Sequence, residues 1–119
     1  MKKETPKNGL HTEYFENGQI EIEENYKDGK LEGKCTCWYE NGQIEIEVVN
    51  YKEGYLDGKW TYWKENGQIK AEENFKDREF EGKWTYWYEN GQKKEEGNYK
   101  DGKIDGKTTM WHENGEKIR

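Results

Sequence analysis

A single repeated element limits what this chain can fold into more than anything else in it. Glu-Asn-Gly-Gln begins at Glu16, Glu40, Glu65 and Glu89, and a fifth copy at Glu113 reads Glu-Asn-Gly-Glu. The steps between copies are 24, 25, 24 and 24 residues. Self-similarity at such a period means that one supersecondary unit is stacked several times, so that no unit buries its apolar surface alone. Before each copy stands a β-prone run with Thr second and an aromatic fourth, from His11-Thr12-Glu13-Tyr14-Phe15 to Thr108-Thr109-Met110-Trp111-His112. After each of the first four comes a second strand-like run, such as Gln19-Ile20-Glu21-Ile22-Glu23, followed by Tyr26, Tyr51, Phe75 or Tyr99.

Asn-Gly between two alternating runs is a hairpin signal, because both residues accept positive φ. The turns fall at Asn17-Gly18, Asn41-Gly42, Asn66-Gly67, Asn90-Gly91 and Asn114-Gly115. Polar connections ending at Gly33, Gly58, Gly82 and Gly106 lead into the next hairpin, with Arg78 in place of the first connection Gly in repeat three. The expected fold is all-β: an elongated, single-layer antiparallel meander of tandem hairpins. Residues 1–8 read as a polar arm and 9–119 as one repeat domain of about 4.5 hairpins, at 9–32, 33–57, 58–81, 82–105 and 106–119.

Two registers compete. A two-residue turn would set Trp63 opposite Lys70, whereas a three-residue loop with Gly in the left-handed region pairs Trp63 with Ile69 and Thr61 with Ala71. The second segregates polarity better. It gathers Thr12, Tyr14, Ile20, Ile22 and Tyr26 on one face and leaves His11, Glu13, Glu21 and Glu23 on the other. The extra residue of repeat two, within Glu47-Val48-Val49-Asn50, predicts a β-bulge.

Composition narrows what such a sheet can do. Leu, Ile, Val and Phe make only 15 of 119 residues and charged residues 39%, a balance close to that of disordered chains. Six Trp and nine Tyr, set at a fixed period, supply the missing apolar contact. A net charge of −6 turns away from phosphate-rich partners, so neither nucleic acid nor an anionic membrane is expected. No apolar run of signal or spanning length occurs, and the two cysteines, Cys35 and Cys37, are too awkwardly placed on one strand to bridge each other. The expectation is a soluble, cytoplasmic protein.

These residues carry a family resemblance over nearly the whole chain, from about Gly9 to Arg119. Gly-Lys-Trp-Thr-Tyr-Trp-x-Glu-Asn-Gly-Gln-Ile-Lys, followed by Tyr-Lys-Asp-Gly-Lys-Leu-x-Gly, resembles the bacterial variant of the MORN repeat and is similar to proteins grouped as YwqK-family antitoxins. The resemblance implies an elongated, curved β-sheet that serves as a contact surface, with no catalytic residues to carry over. It also implies, for MORN repeats in general, a link to phosphoinositide or phosphatidic acid binding.

Comparing copies within the chain separates two sets of positions. Tyr14, Trp38, Trp63, Trp87 and Trp111 form a column present in every repeat, beside a Thr column, and both read as architecture, since cross-strand contacts contribute about 0.2–1 kcal/mol each. On the other face the residues change from copy to copy. There Trp60, Tyr62, Trp84, Tyr86 and Tyr88 form an aromatic patch that reads as the partner-binding site. Cys35 and Cys37 supply too few ligands for a metal, with His11 roughly 10 Å away across two strand spacings. The carboxylates Glu21, Glu23, Glu45, Glu47, Glu72 and Glu95 read as a solvated face. The chain has no Ser, and its two His stand at opposite ends of the array.

No enzyme, cofactor or metal is therefore expected. The leading expectation is a protein-interaction or scaffold module, which could serve as the antitoxin-like member of a toxin–antitoxin pair. The partner would be another protein, such as a toxin, held on the sheet face or on an open edge such as Glu116-Lys117-Ile118-Arg119. The same edges would permit edge-to-edge self-association. The alternatives are a cell-surface module for a small ligand, carbohydrate or lipid headgroup, where rings cage a cation, and a structural spacer.

Overall fold

A computed structural model describes residues 5–119. The arm assigned to residues 1–8 thus lies half outside the described residues. Its inner half docks on the first connection, where the Gly29 N–H donates to the Lys7 carbonyl (2.8 Å) and the Asp28 N–H to Asn8 Oδ1 (2.9 Å).

Each repeat is a hairpin of two long strands: β1 (Gly9–Tyr14) with β2 (Ile20–Lys27), β4 (Gly33–Trp38) with β5 (Ile44–Lys52), β7 (Gly58–Trp63) with β8 (Ile69–Lys76), and β10 (Gly82–Trp87) with β11 (Lys93–Lys100). Two-residue strands β3 (Lys30–Leu31), β6 (Tyr55–Leu56), β9 (Glu79–Phe80) and β12 (Lys103–Ile104) fold back on the preceding long strand, and β13 (Thr109–Met110) closes the array against β11. All belong to one open antiparallel sheet in the order β1-β2-β4-β5-β7-β8-β10-β11, with extents of 50 × 35 × 17 Å. The segment Glu116–Arg119, expected as an edge strand, forms no strand: Lys117 makes an isolated bridge to Trp111, the Ile118 N–H donates to the Met110 carbonyl, and the Glu116 carbonyl accepts from the His112 N–H of its own turn.

The hairpin loops are the three-residue kind. Gly18 has φ +88°, its N–H donates to the Phe15 carbonyl, and the Phe15 N–H donates to the Gln19 carbonyl. Asn17 works through its side chain instead of a positive φ. Its Oδ1 accepts from the Gln19 N–H at 2.9 Å while its Nδ2 reaches the Glu40 carbonyl of the next turn at 3.1 Å. Asn41 and Asn90 repeat the bond to the following turn, at 2.9 and 2.7 Å. The turns are thereby stitched into a row along one long side of the sheet. Asn41→Ala removes both bonds and is expected to cost about 1–2 kcal/mol, measurable as a lower urea midpoint. Two-residue turns with positive φ at both positions occur in the connections, at Asp28-Gly29 and even at Asp77-Arg78, where Arg78 holds φ +68° with its guanidinium 4.0 Å from the Tyr55 ring centre.

The register departs from expectation after its first pair. Trp63 does pair with Ile69, but Tyr62 then pairs with Ala71 and Thr61 with Glu72. One extra residue, Lys70, is bulged out. The same shift occurs at Glu13/Tyr14, Cys37/Trp38 and Tyr86/Trp87. The expected face assignment is therefore corrected: Ile22 and Tyr26 share a face with His11 and Glu13, and Glu23 lies with Thr12. The physical reason is segregation. With the bulge, Ile22, Ile46 and Ala71 join the sulfur and aromatic side chains, and glutamates take their place beside threonines. The further bulge expected in repeat two is present, since Gly33 pairs with Tyr51 and Cys35 with Val48.

One face then carries an unbroken cross-strand row, Thr12–Glu23–Thr36–Glu47–Thr61–Glu72–Thr85–Glu96–Thr109. Lys34, Lys59 and Lys83 reach Glu47, Glu72 and Glu96 at 3.6, 3.7 and 3.3 Å. Beneath these ion pairs Thr36, Thr61 and Thr85 are buried. The opposite face carries Glu13–Ile22–Cys37–Ile46–Tyr62–Ala71–Tyr86–Glu95–Met110, and we call it the aromatic face. Glu95 belongs to this row and not to the solvated glutamate face assigned to it; Glu21 and Glu45 are bulge residues.

Candidate interaction surface

The aromatic face doubles as the core of a sheet that has no second layer among the described residues. The buried His11, Cys35, Val48, Ala71 and Trp84 all lie on it. Along β10 and β11, Trp84 pairs with Gly97, and the indole lies over that glycine so closely that an added Cβ would stand 2.7 Å from Trp84 Cζ2. Tyr86 and Tyr99 flank the indole at centroid distances of 5.4 and 6.0 Å, and Phe80 stacks on Tyr99 at 4.9 Å. The Trp84 Nε1–H is buried without a partner among the described residues.

The five residues read as a partner-binding patch are thus placed differently from one another. Trp84 is 5% exposed and belongs to the core, because Gly97 admits its ring into the sheet. Trp60, opposite Glu73, finds no such space, remains half-buried, and stacks on Tyr62 at 6.1 Å and 12°. Tyr86 donates from its hydroxyl to Glu73. Tyr88 turns to the next repeat, its hydroxyl donating to the Trp111 carbonyl at 2.7 Å. In the column read as architecture, Trp38, Trp63, Trp87 and Trp111 are half-buried, while Tyr14 is 60% exposed because β1 has a neighbour on one side only.

The two free thiols lie on the aromatic face two residues apart. The Cys37 thiol beside it, with burial, raises the pKa of Cys35, and the Cys35 thiol lowers that of Cys37. His11 Nε2 lies 3.0 Å from Glu13 Oε2 and its ring meets Tyr26 edge-on.

Several tyrosines on this side hold their protons tightly. Burial and a bond to Glu24 push Tyr26 up to about 12. Burial raises Tyr39, Tyr51 and Tyr86 as well, helped by Tyr62 beside Tyr39 and by Glu73 beside Tyr86. An unfolded chain releases these protons near pH 10 while the folded one keeps them, so the stability they add is complete below about pH 10 and is lost as pH rises toward about 12. The urea midpoint is expected to fall across that window, and less so in Tyr86→Phe.

At the turn end of this face, over repeats one and two, an open groove of about 800 Å³ has Phe15 and Tyr39 as aromatic walls and Ile22 and Cys37 on its floor, with Trp38 and Asn41 at its margin. Glu13, Glu21, Glu40, Glu45 and Glu65 line the rest, with no Lys or Arg among them. Sequence reasoning missed this groove, because it is assembled from the bulge residues Glu21 and Glu45 and from the position just before each Glu-Asn-Gly turn. The available signal was the absence of any Lys or Arg from Asn8 to Tyr26 and from Cys35 to Tyr51.

Comparison with known proteins fits this geometry. No curated protein matches the chain. Residues 7–28, 31–53, 56–77 and 80–101 each match the MORN repeat variant. Those four matches span most of the open hairpin sheet described above, and the chain belongs to the family of MORN repeat variants.

Proposed function

We propose that this chain is a non-enzymatic protein-interaction module whose aromatic face receives another protein. In its narrowest form, the module is an antitoxin-like partner that holds a toxin on that face. The observation that carries the reading is the stacked, half-buried pair Trp60 and Tyr62, lying on a sheet face that no second layer covers among the described residues. Large rings fixed in place by a rigid frame provide contact area at small entropic cost, which is what interface anchors require.

The test is affinity capture from a lysate of the source cell, comparing the wild type with Trp60→Thr/Tyr62→Thr. Both substituted positions are only partly buried, so the variant is expected to fold, as checked by its thermal transition. A protein retained by the wild type and lost by the folded variant supports the module and its face. Equal retention by both removes this face from the interaction.

A further inference from the structure

We propose that the groove over repeats one and two binds Lys or Arg side chains from an extended basic segment of a partner protein, a proposal that rests on the interaction-module reading and names the partner's chemistry. The chain's own later repeats supply the argument. The bulge residue is Glu21 and Glu45 in repeats one and two but Lys70 and Lys94 in repeats three and four. In repeat four the Lys94 ammonium lies 5.8 Å from the centre of the Tyr88 ring, and in repeat three Lys70 lies 5.9 Å from that of Tyr62. Tyr39 occupies in repeat two the position of Tyr88 in repeat four, yet the residue six places on is a carboxylate, Glu45. Repeat two therefore presents an aromatic ring beside a negative charge where repeat four fills the space with its own cation.

Apart from Glu13, which lies 3.0 Å from His11, the carboxylates of the groove are also left without an ion pair among the described residues. On the Thr–Glu face each of Glu47, Glu72 and Glu96 has a lysine from its own hairpin. Among the described residues Glu21, Glu40, Glu45 and Glu65 have no ion pair. An incoming ammonium or guanidinium gains attraction from both the carboxylates and the ring faces. Equivalent positions in adjacent repeats stand roughly 10 Å apart, two strand spacings, close to the roughly 9 Å rise of one three-residue turn of polyproline II, which returns a side chain to the same side. The matching occupant is thus a polyproline II-like extended segment with basic residues every third position.

The probe is a fluorescein-labelled peptide of repeated Lys-Ala-Ala, followed by anisotropy against the full chain at low and physiological salt, with a Glu-Ala-Ala peptide as its counterpart. Glu21→Lys/Glu45→Lys copies repeats three and four into the groove, and is expected to weaken binding roughly tenfold or more. Glu21→Gln/Glu45→Gln/Glu65→Gln is expected to act in the same direction without adding cations. Asp105→Asn/Glu113→Gln/Glu116→Gln changes the net charge by the same amount as the Gln variant, away from the groove, and is expected to stay within about twofold of the wild type at physiological salt, where long-range charge effects are screened.

The proposal is overturned if the wild type binds both peptides alike or neither, or if the remote variant weakens binding as much as the groove variants. Displacement of the peptide by millimolar choline would overturn the peptide as occupant in favour of a small quaternary ammonium. If the lysate experiment yields a partner that depends on Trp60 and Tyr62 while the basic peptide fails to bind, the groove chemistry falls and the interaction module stands. Peptide binding localised to the groove, with no partner captured through Trp60 and Tyr62, supports the groove chemistry and counts against those two rings as anchors.

Discussion

Trp84→Ala is expected to destabilise the fold by about 3–5 kcal/mol, the usual loss for a large aromatic removed from a core. Trp84 is 5% exposed and sits among Tyr86, Tyr99 and Gly97. A small domain has a total stability of about 5–15 kcal/mol, so the variant is expected to be mostly unfolded well below the wild-type transition. Two companions sharpen the result. Trp84→Phe keeps most of the buried area and removes an indole N–H that has no partner, so it should cost far less than the Ala variant. Trp60→Ala, at the equivalent position one repeat earlier, should also cost less, because its ring is only half-buried. Chemical denaturation of the three variants gives the order directly, and equal losses at 60 and 84 would contradict the placement of Trp84 in the core.

Gly97→Val should be the next most damaging change, although valine favours strands. Its Cβ would stand 2.7 Å from Trp84 Cζ2 and 3.1 Å from Nε1, so the indole must leave its seat. Overpacking of this kind costs about 1–3 kcal/mol, occasionally more. The array contains its own remedy. In repeat two the same pair of positions is Cys35 opposite Val48, a small residue facing a branched one, and Val48 is 2% exposed. In a Trp84→Cys background, Gly97→Val is therefore expected to be neutral or stabilising. A double-mutant cycle that shows no coupling between the two positions would mean that they do not face each other.

Much of this architecture was legible in the sequence, and what was missed has a specific cause. The Glu-Asn-Gly period gave the repeat, the hairpins, the three-residue loops and the extra bulge at Val49-Asn50, because each depends only on local spacing. The bulges at Glu21, Glu45, Lys70 and Lys94 left no such mark. All repeats share them, so comparing one copy with another shows no irregularity. Missing that one residue reversed the faces of Ile22 and Glu23. It also hid the Thr–Glu row, although Glu23, Glu47, Glu72 and Glu96 recur in phase with the threonines.

The candidate site was less legible for a related reason. Trp60, Tyr62, Trp84, Tyr86 and Tyr88 look alike as letters in a repeat. What divides them is the partner across the strand, Glu73 for Trp60 and Gly97 for Trp84. The sequence names that partner only once the register is known.

If the aromatic face, and not the Thr–Glu face, is the contact surface, a crosslinker on each must behave differently. Photo-crosslinking in the source cell makes that comparison, with benzoylphenylalanine placed either at Tyr62 on the aromatic face or at Lys59, which is exposed on the Thr–Glu face. A discrete adduct is expected from position 62 and none from position 59. An adduct from position 59 alone, or the same adduct from both, would refute the aromatic face as the contact surface.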